Sequence, residues 1–381
     1  MCIKKVFSFI LVLVVLCAST SISPVALSEA ELSAPSAILI EPNSKKILYE
    51  HNSHEQRPCA SVTKVMTMLL VMEAIDNGKI TYDEMVTSSA RAASMGGSDI
   101  WLEEGEQMTV DDMIKATVVA SANDAAVALA EHICGTEEEF VSKMNERAKQ
   151  LGMNDTVFKN CNGLDEEGHV TSANDVALMS AELIKHEKIF DYTSIWMDEL
   201  RGGKTQIVNT NKLLKTYNGI TGLKTGTTDD AGCCMSATAE RDGLSLVAVV
   251  LGCNTGTERF KDAATLLDYG FANYQFKQLA TPDELPKQVE VKGGMDKNID
   301  IECKVQSGFV LPKGSANNIE YKVSLNENIE APVKIGDTVG EVTYTADGEK
   351  LASYQVKAIS ATEPISFGAI FNLLFNALIS L

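Results

Sequence analysis

The hydrophobic pattern of this chain changes its period along its length, and that change limits the folds open to it. From about 107 to 190, apolar residues recur every three or four positions, which is typical of amphipathic helices. Near 219 the pattern becomes that of strands. "GITGLKTGTT", "GCCMSATAER" and "LSLVAVVLGC" predict three successive strands, and "SAILIEPNSKKILYEHN" predicts an earlier hairpin. The sequence therefore predicts an α+β domain over 33–275, in which a helical subdomain at about 107–190 interrupts a sheet-and-helix layer.

A second, smaller domain follows. The stretch 276–287 is polar and contains two prolines, which indicates a linker. From 288 to 360, short alternating runs such as "IDIECKVQ" and "NIEYKVSL" are punctuated by Gly, Asn and Asp. These runs predict a small all-β domain, either a sandwich or a barrel.

The C-terminal segment 364–381 carries no charge and is mostly Ile, Phe, Leu and Ala. Asn372, Asn376 and Ser380 repeat every four residues, so they fall on one stripe of a helix about 25 Å long. We expect an amphipathic helix that binds the membrane surface. A packed helix is the first alternative. A true span is a weaker one, because the run is short and has a polar stripe.

The N-terminus has the layout of a secretory signal. Lys4 and Lys5 precede the apolar run "VFSFILVLVVLCA", and small residues follow, so 1–28 is predicted to be a cleaved signal peptide. A membrane anchor is the alternative, although the run is short for a bilayer. Lipidation of Cys17 is disfavoured because Leu16 occupies a position where a small residue would be wanted.

Composition excludes some function classes. The 33 basic and 52 acidic side chains give a formal net charge of -19, which argues against a nucleic-acid partner. Seven cysteines lie beyond the signal, an odd number that does not suggest a disulfide framework. No Cys/His spacing suggests zinc, so we expect neither metal nor cofactor. The cysteines are expected to be small buried side chains.

The first candidate for chemistry is the pair Ser61 and Lys64 in "RPCASVTKVMTMLLVMEAIDNG". Ser61 stands at the start of a predicted helix, where a serine is first of all a good N-cap. Lys64 lies three residues on, on the same face and within hydrogen-bonding reach. A serine needs a base to become a nucleophile, and a lysine in a dry pocket can serve. Alone, a Ser-x-x-Lys match has little specificity.

The second candidate is the tripeptide Ser-Ala-Asn at Ser121–Asn123, between two helical stretches. Ser121 followed by Asp124 also resembles a capping box. The tripeptide recurs at Ser172, which is expected to cap a helix, and at Ser315 in the β domain. Spacing alone does not choose among the three.

The third candidate is "LKTGTT", which contains Lys224, Thr225, Gly226 and Thr227 on a predicted strand. No G-x-x-x-x-G-K precedes it, so it is not a phosphate-binding P-loop. A lysine and a hydroxyl beside a cleft could bind a substrate carboxylate. Gly226 would let the substrate backbone approach closely.

Together and in this order, the three elements resemble those of penicillin-binding proteins and class A β-lactamases. Over roughly 35–362 the chain resembles the low-molecular-weight penicillin-binding proteins, the serine-type D-alanyl-D-alanine carboxypeptidases. The segments that carry the resemblance include "MGGSDIWLEEGEQMTVDDMIKATVVASANDAAVALAEHI", "GHVTSANDVALM" and "GLKTGTTDDAGCCMSATAERDGLSLVAVVLG". The resemblance implies a penicillin-binding/β-lactamase-like domain with a helical subdomain, followed by an all-β domain and a C-terminal amphipathic helix. It also implies that Ser121 is the functional serine of the three Ser-Ala-Asn copies.

The resemblance also implies removal of the terminal D-Ala from peptidoglycan pentapeptide stems. Ser61 would attack the carbonyl of the penultimate D-Ala and form an acyl-enzyme, while Lys64 takes the proton. Ser121, Asn123 and Lys224 would pass the proton to the leaving amine and position the peptide. Water would then release the shortened peptide, and β-lactams would inhibit the enzyme.

Further roles follow from the same resemblance. Backbone N–H groups of Ser61 and Thr227 would form the oxyanion hole. Thr225 and Arg259 would hold the terminal carboxylate. Thr227 stands where some relatives carry His, which leaves the pH dependence open. The implied location is the outer face of the cytoplasmic membrane, with the C-terminal helix as tether.

Two alternatives remain at this point. A β-lactamase is disfavoured because no Glu-x-x-x-Asn lies between Asn123 and Lys224, and Glu166 and Glu167 stand in a Gly-rich turn. A non-catalytic wall-binding or penicillin-sensing protein is disfavoured because a pure binder need not keep Lys64. Cys59, two residues before Ser61, is interpreted as packing and not as a thiol catalyst.

Overall fold

The computed structural model describes residues 31–279, 282–305, 308–314, 319–346 and 348–368, together with Ile370, Phe371, Phe375 and Ile379. The predicted signal peptide lies outside these residues. The chain divides into two compact units, which we describe separately. The larger unit covers Val25–Ala280 and Gln306–Leu311, and the smaller covers Thr281–Val305 and Pro312–Leu381, with Met1–Pro24 grouped with the smaller.

The strands alternate with helical segments in the first unit and follow one another in the second. They are β1 (Ser36–Glu41), β2 (Lys46–His51), β3 (Met85–Thr87), β4 (Gln107–Thr109), β5 (Met197–Leu200), β6 (Thr205–Val208), β7 (Ile220–Thr228), β8 (Gly232–Arg241), β9 (Leu244–Cys253), β10 (Tyr274–Gln278), β11 (Gln288–Glu290), β12 (Asn298–Cys303), β13 (Gly308–Pro312), β14 (Ile319–Leu325), β15 (Thr338–Ala346) and β16 (Glu349–Ala358).

The helices whose full extent lies within the described residues belong to the larger unit. They are α1 (Lys64–Asp76), α2 (Ala90–Ala93), α3 (Val110–Lys115), α4 (Asn123–Cys134), α5 (Glu137–Leu151), α6 (Ala173–Leu183), α7 (Phe190–Thr193), α8 (Leu213–Thr216) and α9 (Gly256–Asn273). Two 3-10 turns, Ala60–Thr63 and Glu187–Ile189, and a π-helical turn, Ala116–Ala120, adjoin them.

A five-stranded antiparallel sheet of order β2-β1-β9-β8-β7 forms the centre of the larger unit. The predicted hairpin and the three predicted strands are therefore present. Asp242 and Gly243 join β8 to β9 with positive φ angles of 52° and 76°, the conformation of a tight two-residue hairpin turn. The predicted helical block begins later than expected, because β4 occupies Gln107–Thr109 and α3 starts at Val110. Strand β10 likewise occupies the start of the predicted linker.

The sheet separates two apolar layers. Ile38 and Ile40 point into one layer with α1, α4 and α6, whereas Leu39 points into the other with Leu266 and Leu267 of α9. This division follows from the two-residue period of strand side chains. Helix α1 is apolar on nearly every side, as expected for a helix buried in a core. The sheet and α1 thus form a rigid base for residues at the start of that helix.

The smaller unit contains a five-stranded sheet of order β11-β12-β16-β15-β14. Val342, Tyr344 and Val356 are fully buried in it, and the prediction of an all-β domain is confirmed. Half of the predicted C-terminal helix, 364–381, lies outside the described residues. No helix within the described ranges is long and apolar enough to span a bilayer.

Candidate active site

Ser61 lies inside a 3-10 turn that leads directly into α1. Ser61 does not cap the helix, which was the alternative role that the sequence allowed: Cys59 holds the N-cap position of the turn, without a side-chain cap bond, and α1 begins at Lys64. Ala60, immediately before Ser61, has a φ of 51°. A residue with a Cβ adopts this conformation at a cost and keeps it where the surrounding structure enforces it. The Ser61 hydroxyl is therefore not used for capping.

Lys64 is fully buried beside Ser61. Its Nζ lies 2.9 Å from Ser61 Oγ, 2.6 Å from Asn123 Oδ1 and 2.6 Å from the carbonyl oxygen of Asn162. Burial disfavours the ammonium form and lowers the pKa of Lys64 to about 7. A large fraction of Lys64 is therefore a neutral amine near neutral pH, and its lone pair can accept the proton of Ser61.

A second hydroxyl–lysine pair stands in the same site. Lys224 Nζ lies 2.9 Å from Ser121 Oγ and donates to the Thr225 carbonyl oxygen at 2.9 Å. Burial, followed by the nearby charges of Lys64 and Arg259, holds the pKa of Lys224 well below its usual value. Ser121 has a φ of 62° at the end of the π-helical turn. The site thus holds two residues with strained backbones. Ala60 immediately precedes Ser61, and Ser121 carries the hydroxyl that contacts Lys224.

The Ser-Ala-Asn copies separate clearly. Ser121 does not form the capping box that the sequence suggested, because Ala122 is the N-cap of α4 and makes no side-chain bond. Ser172 is the N-cap of α6 and accepts a hydrogen bond from the Asp175 backbone N–H at 3.2 Å. Ser315 lies outside the described residues. Of the two described copies, Ser121 is the one in contact with Lys224.

Strand β7 passes directly against the turn that carries Ser61. A Cβ on Gly226 would lie 2.6 Å from the Cys59 carbonyl oxygen and 2.9 Å from the Ser61 backbone nitrogen. From the sequence, Gly226 was expected to let the backbone of a substrate approach closely. In the structure, the backbone that lies against Gly226 is that of Cys59 and Ser61 in the protein itself. This close approach brings the backbone that follows Gly226, at Thr227, to the neighbourhood of the Ser61 N–H.

Arg259 and Thr225 have partners within the protein. Arg259 reaches from α9 and donates from Nη1 to the Gly226 carbonyl oxygen at 2.8 Å and to Thr227 Oγ1 at 2.9 Å. Its buried Nε has no hydrogen-bond partner. Thr225 Oγ1 lies 2.6 Å from Thr210 Oγ1. The guanidinium therefore adds positive charge at the end of β7, where Thr227 is exposed.

Sequence reasoning missed the segment that supports the turn from the other side. Gly163, with a φ of 86°, approaches so closely that a Cβ there would lie 2.0 Å from the Ala60 carbonyl oxygen. Asn162, one residue earlier, supplies the carbonyl that contacts Lys64. The run "NCNGLDEEGH" is rich in turn residues, and this was the available signal. Its contact with Lys64, about 100 positions away, has no local signature.

His169 is a second missed residue, and its tautomer is fixed by its partners. The Lys159 backbone N–H donates to Nδ1 at 3.2 Å, so Nδ1 is an acceptor and the proton is on Nε2. Nε2 lies 2.8 Å from Thr63 Oγ1 and donates to it. Burial lowers the pKa of His169 to about 4, which keeps the ring neutral. This hydrogen bond anchors Thr63, which is the last residue of the 3-10 turn and immediately precedes Lys64.

Two other expectations can be compared with the site. Cys59 is fully buried, and burial raises the pKa of its thiol to about 11, which opposes a role as a thiolate. Within the described ranges, no group of three or more His, Cys, Asp or Glu side chains could hold a metal ion. A serine hydroxyl in contact with a buried lysine amine is an arrangement that suits acyl transfer by a serine hydrolase, with a lysine in the position that a histidine often takes.

Comparison with known proteins identifies the family. The family profile described as D-alanyl-D-alanine carboxypeptidase matches residues 23–255, and the profile of the penicillin-binding protein 5 C-terminal domain matches 274–363. The chain is 44% identical over 335 residues to the D-alanyl-D-alanine carboxypeptidase DacF of Bacillus subtilis, covering 87% of this chain and 86% of that protein. It is 31% identical over 362 residues to DacC of Escherichia coli, covering 92% and 90%.

Solved structures agree. Penicillin-binding protein 5 from Haemophilus influenzae has a TM-score of 0.77 and 29% identity, covering 89% of this chain and all of that one. Penicillin-binding protein D2 from Listeria monocytogenes, in its ampicillin-bound form, has a TM-score of 0.59 and 35% identity over 64% of this chain. The chain therefore belongs to the D-alanyl-D-alanine carboxypeptidase family, the serine hydrolases and penicillin-binding proteins of peptidoglycan metabolism. The predicted family, the α+β and all-β domains and the carboxypeptidase function are confirmed, whereas the C-terminal amphipathic helix stays a prediction.

Proposed function

We propose that this carboxypeptidase removes the terminal D-Ala of peptidoglycan stem peptides through an acyl-enzyme on Ser61. The 2.9 Å contact between Ser61 Oγ and the buried Nζ of Lys64 carries the proposal. Neutral Lys64 accepts the hydroxyl proton while Oγ forms a bond to the carbonyl carbon of the penultimate D-Ala. Asn123 Oδ1 and the Asn162 carbonyl oxygen hold Lys64 Nζ beside Ser61 Oγ, so the proton transfer from Ser61 to Lys64 needs little reorganisation.

Collapse of the tetrahedral intermediate needs a proton on the leaving amine. Ser121 Oγ is 2.9 Å from Lys224 Nζ, and this pair is suited to relay the proton to the D-Ala nitrogen as the C–N bond breaks. The positive charge of Arg259 and the N–H donors of the Lys224 amine favour a peptide that ends in a free carboxylate. With Thr225, they are the groups that we assign to that carboxylate. Water then attacks the acyl carbon and gives a proton to neutral Lys64. As the bond between Ser61 Oγ and the acyl carbon breaks and the shortened peptide leaves, Lys64 passes that proton to Ser61 Oγ, which restores the starting state.

The negative charge on the carbonyl oxygen needs donors while the intermediate exists. We assign this role to the backbone N–H groups of Ser61 and Thr227. The 2.9 Å separation between a Cβ position on Gly226 and the Ser61 nitrogen supports the assignment, because β7 must run beside the turn for both amides to face one oxygen.

We further propose that β-lactams acylate Ser61 and are released slowly. Penicillin-binding protein D2 from Listeria monocytogenes has been solved with ampicillin and with cefotaxime. In the described part of this chain, neither Ser61 Oγ nor Lys64 Nζ is hydrogen-bonded to a carboxylate that could activate a deacylating water. Glu166 accepts from Asn160 Nδ2 instead. This supports a carboxypeptidase over a β-lactamase.

The location is also part of the proposal. The signal-like layout of 1–28 supports export, and the apolar C-terminal segment supports a tether at the outer face of the membrane. Phe367, Phe371 and Phe375 are exposed, and their rings stack in sequence at four-residue spacing. An aromatic stripe of this kind suits the interface of a bilayer.

The test is release of D-Ala from a peptide that ends in D-Ala-D-Ala. We expect release by the wild type and none above background by Ser61→Ala. Ser172→Ala is the matched control, because it removes an equivalent hydroxyl from the other described Ser-Ala-Asn copy and should keep full activity. Absence of release by a folded wild type, or equal activity of Ser61→Ala, would contradict the proposal.

A further inference from the structure

The segment 96–102 is fastened along the start of α4, next to the catalytic lysine. Asn123, whose side chain contacts Lys64, and its neighbour Asp124 provide the attachment. The hydrogen bonds run from Asn123 Nδ2 to the Gly96 oxygen at 2.7 Å, from the Asn123 N–H to the Ser98 oxygen at 2.7 Å, and from the N–H groups of Ile100 and Leu102 to the Asp124 carboxylate at 3.1 and 3.0 Å. Alternate residues of the segment are therefore fixed to the protein.

Trp101, between the last two attachment points, is exposed to solvent. Ile100 and Leu102 are buried, at 2% and 4% exposure, whereas Trp101 between them is 77% exposed. Trp101 also has a φ of 56°, which is a rare conformation for a bulky side chain. Such outliers persist where the structure enforces them, and they concentrate at functional sites. Exposure and backbone strain thus coincide on one tryptophan.

The carbonyl side of the segment is fixed as well. Arg201 donates from Nη1 to the Ile100 carbonyl oxygen at 2.9 Å and from Nε to Glu106 at 2.6 Å. Trp101 therefore stands on a backbone held from both sides. An exposed tryptophan on a fixed backbone has only two side-chain dihedral angles to order when a ligand binds, which is a property of binding residues.

The surroundings of Trp101 indicate which chemistry it would bind. In the described part of the chain, no cation lies over its ring and no other ring packs against it. The Asp99 carboxylate lies beside the Trp101 backbone N–H, and exposed Glu103 and Glu104 follow. An open indole face next to carboxylates attracts a cation through both the ring quadrupole and the charges.

We propose that Trp101 and Asp99 form an outer subsite for an ammonium group on the acyl side of the peptide substrate. This inference rests on the proposed carboxypeptidase function and deepens it. The favoured substrates are D-Ala-D-Ala peptides whose preceding residue carries a free side-chain amine. The ammonium lies over the indole face and pairs with Asp99, while the D-Ala-D-Ala end reaches Ser61.

The test compares two peptides that differ in one charge. Nα-acetyl-L-Lys-D-Ala-D-Ala has a free ε-amine, and its ε-acetylated form is neutral. At low ionic strength we expect the wild type to prefer the free amine in kcat/KM by about three- to fivefold. Trp101→Leu and Asp99→Asn should each reduce this ratio to about one, and Trp101→Phe should keep part of it. Ile47→Ala, at an exposed apolar residue of β2, is the control and should keep the wild-type ratio.

Several results would overturn the subsite. If the wild type turns over both peptides equally well, there is no ammonium site. If Trp101→Leu slows both peptides equally, Trp101 supports Asn123 structurally and does not bind the ammonium group. Failure of the proposed function is distinguished by calorimetric titration of Ser61→Ala with both peptides. If the wild type releases no D-Ala, the ratio of the two dissociation constants still decides whether the subsite exists.

Discussion

The two units of this chain bury different kinds of side chain. In the larger unit, the buried residues include charged and polar groups that converge on one site, among them Lys64, Ser121, Asn123, Lys224 and Arg259. In the described part of the smaller unit, the buried side chains are Val, Ile, Tyr, Ala and Pro, with Thr362 as the polar exception. Buried amines cost stability, so a fold keeps them where their altered pKa values are useful. Substitutions in the polar cluster should therefore alter chemistry, and those in the smaller unit should alter stability.

The largest effect is expected at Lys64. Lys64→Met keeps most of the side-chain volume but removes the base, and acylation by penicillin should slow about 10²- to 10⁴-fold. Because only the neutral amine can accept the Ser61 proton, the wild-type rate should rise with pH around a midpoint near 7. Stopped-flow measurement of acylation by penicillin from pH 5 to 9 gives both the loss of rate in Lys64→Met and the pH midpoint of the wild type. A midpoint that persists in Lys64→Met would assign the titration to another group.

Gly226 provides the next test. Gly226→Ala places a methyl group 2.6 Å from the Cys59 oxygen, so β7 and the Ser61 turn must separate. We expect about a 10²-fold loss of acylation rate, because the two oxyanion donors no longer face one atom. Gly256→Ala is the control, since its Cβ would meet the nearest atom at an ordinary 3.5 Å. Normal activity of Gly226→Ala would exclude the close approach of these backbones.

His169 should give a smaller effect, visible as pH dependence of stability. Its pKa is about 4 in the folded protein against 6.5 for an ordinary histidine, so the unfolded chain binds the proton more readily between these values. Stability is therefore full above pH 6.5 and falls as the pH approaches 4, by about 3 kcal/mol. His169→Gln should flatten this slope in urea titrations at pH 7 and pH 5. His54→Gln, a substitution at an exposed histidine, is the control. If the unfolding free energy of His169→Gln changes between pH 7 and pH 5 as much as that of the wild type, the neutral tautomer is refuted.

The smallest effect on chemistry is expected in the smaller unit. Ile299 is buried at 1% exposure, and Ile299→Ala should destabilise that unit by about 2 to 5 kcal/mol. The acylation rate of Ser61 in the folded protein should not change. A matching loss of acylation would mean that the polar site depends on the smaller unit, and the contrast between the two units would no longer hold.

The elements predicted from the sequence were those with strong local patterns. Strand β9 is a nearly continuous run of apolar and β-branched residues bounded by glycines, and α9 shows the three- and four-residue apolar spacing of a helix. Strands β5 and β6 have only four residues each and were not predicted. Their short runs carry too little periodicity to be recognised.

The residues of the site also divide into those with a local sequence pattern, which were predicted, and those without one, which were not. Ser61, Lys64, Ser121 and Lys224 belong to short motifs, and the structure brings each serine within 2.9 Å of a lysine. The Asn162 carbonyl and His169 were missed because their role depends on tertiary contacts. Any residue has a backbone carbonyl, and a buried histidine has no sequence signature. The positive φ of Ala60 was equally hidden, since alanine gives no hint of a strained conformation.

The most direct test of the account is mass spectrometry of the folded protein after incubation with penicillin. We predict a stable adduct of one penicillin per chain, located on the peptide that contains Ser61 and absent in Ser61→Ala. Unmodified protein with rapidly hydrolysed penicillin would instead indicate a β-lactamase. An adduct on another residue, or unmodified protein with intact penicillin, would contradict the assignment of Ser61 and Lys64 as nucleophile and base.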